Sequence, residues 1–389
     1  MAKDIVFVLH GIGKHDKDWL SESTGAVHAL KESARQYAFF ENNSLDNFVE
    51  FVPILYDDVF QRIISSWSTK AKGLTNSIPV MPALPTEVLS FVDELDEDDW
   101  EKTFAADVVL YWGFRLFQQR VSLRVIKQIV DKVAAITEAG GEKPDYHVLA
   151  HSLGTAVAHD ALHHLGTEAW FDSLSARFVA ENDEEAREEQ QTILTVLEQI
   201  KENFGTSNPF APQLFSFESI TMLSNTSGLI HANEGPATSI VRPGTATEHG
   251  AYARTYVNAN HVADPVSIAT RFKPPPDWDF AGGFSDVGST HFLPNDEIGD
   301  IKDVGAWIHS AAHYIAHPAL HLRLLAMYVN PYRPTADDRS AVASFARQHG
   351  PASIKAALKR AYDDLKAGKI DGLDRIIDAI RKVEGVIHA

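Results

Sequence analysis

The chain has 389 residues, of which 44% are hydrophobic and 23% charged, no cysteine, and a formal net charge of -18 at pH 7. This composition supports one large domain or two ordinary ones around a sizeable core, and it excludes global disorder, disulfides, thiolate metal sites and a cysteine nucleophile. The charge argues against a nucleic-acid partner and against docking on anionic lipid, since no basic excess is available to displace counterions.

Met1-Ala2-Lys3-Asp4 leads straight into an apolar run, without the pattern of a secretory leader. No apolar stretch approaches the ~18 residues that a membrane helix needs. A soluble, cytoplasmic protein without integral membrane association is the expectation, and the lack of cysteine fits a reducing compartment. Ile5 to Leu9 is continuously apolar and predicts a strand buried on both faces. Trp19 to Tyr37 predicts a helix with Ala26, Leu30, Ala34 and Tyr37 on one side. Phe48 to Tyr56 predicts a second strand, and Val108 to Trp112 a third that feeds a long helix ending near Val133. Tyr146 to Ala150 is the fourth predicted strand, followed by a helix over Thr155 to Leu165. Ile220 to Leu223 and Thr255 to Asn258 are the fifth and sixth. Strands alternating with helices predict an α/β fold with a doubly wound, mostly parallel sheet, whose ligands bind beyond the carboxyl ends of the strands.

Three segments read as additions to that core. Residues 66–103 carry Pro79, Pro82 and Pro85 and an acidic run from Asp93 to Asp99, which reads as a solvated face because it lacks the sharp-turn glycine of a calcium loop. Residues 170–215 place Ile193, Leu197, Ile200 and Phe204 at helical spacing, either a helix packed on the core or a mobile lid. The tail shows two apolar stripes, Ile354, Leu358, Ala361 and Leu365, then Leu373, Ile377 and Ile380, with Gly368 as a helix stop between them. The division expected is a core over 1–333 with two insertions and a helical extension over 334–389 that docks on the core or on a second copy in a homo-oligomer.

The motif that carries chemistry is Tyr146-His147-Val148-Leu149-Ala150-His151-Ser152-Leu153-Gly154. An apolar strand ends at a serine flanked by small residues, Ala150 and Gly154, and a helix follows at once. This is the layout of a nucleophile elbow, in which a tight strand-to-helix turn presents the serine hydroxyl at the sheet edge. Alanine stands where the first glycine of that pattern usually falls. A second motif, His10-Gly11-Ile12-Gly13, closes the first strand. The glycines allow a tight turn beside a substrate, and His10 reads as a structural residue bonding that loop.

With these two motifs, and an acid followed by a histidine further on, the chain resembles the α/β-hydrolase superfamily, in particular its lipases and esterases, over residues 3 to 330. The resemblance implies a triad in the order Ser, Asp or Glu, His. Ser152 is then the nucleophile. The backbone N–H groups of Leu153 and Ile12 form the oxyanion hole, supported by His10, Gly11, Gly13, Ala150, His151 and Gly154. Asp264, in Asp264-Pro265-Val266 after the last predicted strand, is the acid; a helix cap is its bland alternative, and Asp286 and Asp296 are weaker candidates. His309 is the base by its place before Tyr314, with His313 and His291 as alternatives. His313, His317 and His321 share one helical face but lack an acidic third ligand, so no metal is expected there and a half-buried helix surface is. The function implied is cleavage of a small-molecule carboxylic ester through an acyl-enzyme, with no cofactor. An acyltransferase or thioesterase on the same residues, or a non-catalytic interaction protein retaining the fold, remain as alternatives.

Overall fold

In the computed structural model the residues described are 2–11, 19–21, 25–59, 115–167, 184–204, 209–227, 240–243, 252–261, 264, 272, 290–293 and 309–344. Among them six parallel strands form one sheet: β1 (Asp4–Leu9), β2 (Val49–Ile54), β3 (Tyr146–His151), β4 (Phe217–Leu223), β5 (Ala253–Ala259) and β6 (Thr290–Leu293). Their order across the sheet is β2-β1-β3-β4-β5-β6. The helices are α1 (Ala26–Ala34), α2 (Arg115–Ala139), α3 (Leu153–Leu165), α4 (Glu184–Phe204), α5 (Ala311–Ala316) and α6 (Pro318–Tyr328). The fold is therefore α/β with a parallel sheet covered on both faces.

Strand side chains alternate between faces, and β1 shows how the apolar run is used. Ile5, Phe7 and Leu9 join a core built with α2, α3 and α4. Val6 and Val8 join a second core built with α1, α5 and α6. A strand sandwiched in this way must be apolar at every position, which is why β1 shows no alternation in sequence. β3 divides likewise: Val148 and Ala150 face the first core and Leu149 the second.

The predicted strands that fall within the described residues agree with the structure to within a few residues. Val108 to Trp112 lies outside the described residues. The Trp19 to Tyr37 helix is shorter than expected: Trp19–Ser21 is a 3-10 turn, α1 starts only after Gly25, and Tyr37 precedes a further 3-10 turn at Ala38–Phe40. The apolar positions named for it, Ala26, Leu30, Ala34 and Tyr37, are all buried. β6 is an addition, since Thr290 to Leu293 is only four residues long, two polar then two apolar, and carries no alternating strand signal.

Of the inserted segments, 66–103 lies outside the described residues. Within 170–215, α4 buries Ala186, Ile193 and Ile200 in the first core and packs along α2. Leu197 is partly buried there, while Phe204 is 57% exposed, so the predicted stripe ends one turn early. This part of the segment is a helix docked on the core. In the tail, residues 336–344 are helical, and just before them Tyr332 packs against Tyr37, Phe39 and Phe40, while the stripes from Ile354 onward lie outside the described residues. No helix among the described residues is long and apolar enough to cross a membrane.

The strand order has one consequence for function. β2 lies on one side of β1 and β3 on the other, so the chain reverses its direction of winding between β1 and β3. Loops leaving the carboxyl ends of those two strands part and leave a crevice, the usual ligand position in such sheets. His10 and Gly11 leave β1 there, and Ser152 leaves β3.

Candidate active site

Ser152 joins β3 to α3 with φ 54 and ψ -130, a conformation that a non-glycine residue adopts only when its surroundings enforce it. The enforcement is visible. The Ser152 N–H donates to the Leu223 carbonyl (2.9 Å), extending the β3–β4 ladder by one residue. The Ser152 carbonyl accepts from the Thr155 N–H (2.8 Å), the Thr155 hydroxyl (2.6 Å) and the Thr226 hydroxyl (3.0 Å). Gly154 is where the turn is tightest: a Cβ there would sit 2.2 Å from the His10 carbonyl oxygen. Gly11 is the opposing wall, where a Cβ would lie 3.0 Å from the Ser152 Cβ. Ala150 is fully buried beneath the turn. Leu153 is the first residue of α3, so its N–H belongs to the set that has no acceptor within the helix. Ile12 and Gly13 lie outside the described residues.

The Ser152 hydroxyl lies 2.9 Å from Nε2 of His309, and Nδ1 of the same ring lies 2.9 Å from Oδ2 of Asp264. A neutral imidazole with its proton on Nδ1 satisfies both contacts: Nδ1–H donates to the carboxylate and Nε2 accepts from the serine. His309 precedes Ser310, whose hydroxyl caps α5 by accepting from the His313 N–H. Its carbonyl accepts from Nε2 of His151 (2.6 Å), with the two rings 4.9 Å apart, so the residue before the serine holds the backbone of the histidine. Ser152 is only 2% exposed. The hydroxyl expected at an open sheet edge is instead enclosed between the β1 loop and His309.

Asp264 is fully buried, and its Oδ2 also accepts from the Ser224 hydroxyl (2.7 Å) and the Tyr314 hydroxyl (2.6 Å). Burial alone raises a carboxyl pKa. Here the His309 charge and the three hydrogen bonds outweigh it and hold Asp264 well below the usual carboxylate range. Asp264 is therefore ionised, and its side chain is engaged by the histidine rather than by a helix cap. Ser224 and Tyr314 were not predicted as site residues. The run Ser224-Asn225-Thr226-Ser227, four fully or nearly buried polar residues directly after an apolar strand, was the available signal for the first.

His10 stacks on Tyr56 at 4.3 Å, bonds the Gly11 carbonyl through Nδ1 (2.6 Å) and faces Asp57 through Nε2 (3.5 Å), while the Tyr56 hydroxyl donates to the His10 carbonyl. These contacts fix the loop after β1.

The other histidines fall elsewhere. His291, an alternative base, is on β6, in register with Val257. His313 is fully buried on α5 against His261, with ring centroids 5.2 Å apart. His317 caps α6, and His321 bonds the Tyr37 hydroxyl (2.6 Å). The half-buried surface expected for His313, His317 and His321 is thus wrong: all three are buried, because α1 and Tyr37 cover that face. Among the described residues no three His, Asp or Glu side chains come together as a metal-ligating group. Asp286 and Asp296 lie outside the described residues.

Burial holds three neutral histidines far below the usual imidazole value: His147 at about 3, His261 at about 3 with His313 adding to the effect, and His321 at about 4. The unfolded chain takes up these protons near pH 6.5 and the native one does not, so their stability contribution is full above pH 6.5 and is lost as pH falls through 4. Asp4, raised to about 6 chiefly by burial, works in the opposite sense, favouring the fold below about pH 4 and losing that contribution as pH rises through 6. Glu218 is raised as well, chiefly by burial, and works in the same sense as Asp4; three histidines against these two carboxylates still leave a net acid lability. Urea midpoints are expected to fall steadily from pH 7 to pH 5, by roughly 1.4 kcal/mol of stability per pH unit for each uncompensated histidine. A flat profile over that range contradicts the assignment.

A separate apolar cavity of about 300 Å³ lies at the opposite end of the sheet, between the carboxyl ends of α2 and α4 and Tyr146 at the start of β3. It shares no residue with the site. Comparison of the chain with protein-family models, with curated proteins and with solved structures finds no match.

Proposed function

We propose that this protein is a serine hydrolase of the α/β-hydrolase type that cleaves carboxylic esters of small molecules. One observation carries the reading: the unbroken line from the Ser152 hydroxyl through both nitrogens of His309 to an ionised, buried Asp264, with each contact at 2.9 Å. The elbow conformation of Ser152 and the crevice between β1 and β3 support it.

In this mechanism Nε2 of His309 takes the Ser152 proton as the oxygen attacks the ester carbonyl. Asp264 keeps the ring in the tautomer that presents Nε2 and stabilises the imidazolium. The negative charge on the carbonyl oxygen is met by the Leu153 N–H, one such donor contributing about 3 kcal/mol to lowering the barrier. The tetrahedral intermediate collapses, the C–O bond to the alcohol breaks, and the imidazolium returns its proton to the leaving alkoxide. Water, deprotonated by the same nitrogen, then attacks the acyl-enzyme and releases the acid and Ser152.

A small fluorophosphonate probe tests the assignment directly. Stoichiometric labelling of the wild-type protein at Ser152, and none of Ser152→Ala, is the expected result. A folded wild-type sample that stays unlabelled sinks it. Because Ser152 is enclosed, labelling by a probe with a long alkyl chain is expected to be at least ~10-fold slower than by a small one, a misplacement penalty read as the second-order rate constant.

A further inference from the structure

We propose that Ser224 and Tyr314 are positioning residues that fix the Asp264 carboxylate, and through it the His309 ring. The two arrive from different elements. Ser224 is the first residue after β4, forty residues before Asp264, and Tyr314 stands in α5, fifty residues after it. Both hydroxyls point to the same oxygen, Oδ2, at 2.7 and 2.6 Å, and it is the oxygen that His309 Nδ1 uses.

Three features mark this as more than generic burial. Ser224 holds φ 49, a left-handed conformation that costs a serine about 1–3 kcal/mol and that a glycine or asparagine would adopt more readily. Ser224 also lies 3.2 Å from His309 Nδ1, so its oxygen can share the Nδ1 proton while its own hydrogen goes to Asp264. Tyr314 is itself oriented: its oxygen accepts from the His261 N–H (3.0 Å), and the Asp264 N–H returns to the His261 carbonyl (3.1 Å). The Tyr314 hydroxyl thus accepts from the backbone on one side and donates its hydrogen to the carboxylate on the other. Around the two hydroxyls stand Asp264 and His309 from their loops, His151 from the end of β3 and His261 from the loop after β5.

Each hydroxyl lost removes one charge-assisted hydrogen bond to Asp264, which corresponds to about 10- to 100-fold in kcat. KM is expected to stay within about twofold, since neither hydroxyl meets the substrate. With a donor gone, the negative charge on Oδ2 is less neutralised and holds the imidazolium more tightly. The acid limb of the kcat/KM profile therefore moves to higher pH, by up to about one unit.

The effect on turnover rests on the serine hydrolase reading; the effect on His309 rests on geometry alone. Two measurements on Ser224→Gly, Ser224→Ala and Tyr314→Phe separate them. The first is kcat, KM and pH profile on a p-nitrophenyl ester. The second is the far-downfield proton resonance of the His309 Nδ1–H, assigned by its loss in Asp264→Asn. Support is a lowered kcat in all three variants together with a displaced resonance, with Ser224→Gly as impaired as Ser224→Ala although it relieves the backbone. A Ser224→Gly protein with wild-type kcat and an unmoved resonance overturns the inference while leaving the hydrolase intact. A wild-type protein without ester turnover, whose resonance nonetheless moves in Ser224→Gly and Tyr314→Phe, overturns the hydrolase reading and upholds the positioning role.

Discussion

His309→Ala is expected to lower kcat on an activated ester by about 10⁴- to 10⁶-fold, with Asp264→Asn costing about 10⁴-fold. The two losses should not add, because both variants disable the same proton transfer from Ser152. Removing the imidazole leaves the hydroxyl with no acceptor at 2.9 Å; replacing the carboxylate favours the tautomer that points a proton, rather than a lone pair, at the serine. His313→Ala and His291→Ala provide the contrast. His313 packs against His261 and His291 lies on β6, so kcat of the folded variants should stay within about tenfold of wild type. His313→Ala should still cost stability, since it empties a fully buried position. Steady-state kinetics on samples checked by circular dichroism decide the matter: a His309→Ala enzyme with more than a few per cent of wild-type kcat eliminates this residue as the base.

Gly154→Ala is expected to be the most damaging glycine-to-alanine change among the described residues. The added carbon would lie 2.2 Å from the His10 carbonyl oxygen and 3.0 Å from both the His10 carbonyl carbon and the Leu9 oxygen. All three are backbone atoms at the end of β1, so no side chain can swing aside. Either α3 or the β1 loop must retreat by more than an ångström, and both are tied to the sheet. A loss of about 3 kcal/mol or more is the expectation, or failure to accumulate as soluble protein. Gly11→Ala meets only the Ser152 Cβ at 3.0 Å and the His151 ring at 3.3 Å. It should fold with a smaller deficit but react poorly with the fluorophosphonate probe. Urea denaturation measures both, and a Gly154→Ala midpoint equal to wild type refutes the packing argument.

Particular residues show what could be read from the sequence and what could not. β1 is legible because a strand buried on both faces leaves an uninterrupted apolar run from Ile5 to Leu9, β3 because Val148 to Ala150 is apolar and leads into the elbow, and Ser152 because the elbow needs small neighbours at fixed offsets. Asp264 and His309 were chosen from their order along the chain and their loop positions, and the structure brings both to the serine. Ser224 and Tyr314 escaped notice for a physical reason. A hydroxyl that donates to a carboxylate forty or fifty residues away leaves no periodic trace, and the left-handed backbone of Ser224 carries no glycine to announce it. The depth of His317 and His321 was misjudged because burial of a helix face is set by its cover, here α1 with Tyr37, which is far away in sequence. α1 itself was overextended because an apolar stripe reports the face of a helix better than its ends.

The arrangement around Ser152 draws on residues that the chain delivers late and from afar: position 10 from the first strand, 152 from the third, 224 from the fourth, 264 beyond the fifth and 309 ahead of α5. Among the described residues every strand pairing is parallel, so each waits on a crossover rather than on a local turn. Such high contact order makes for slow folding. Recovery of the proposed esterase turnover during refolding should therefore trail the return of helical signal, which would make it a sensitive gauge of chaperone dependence.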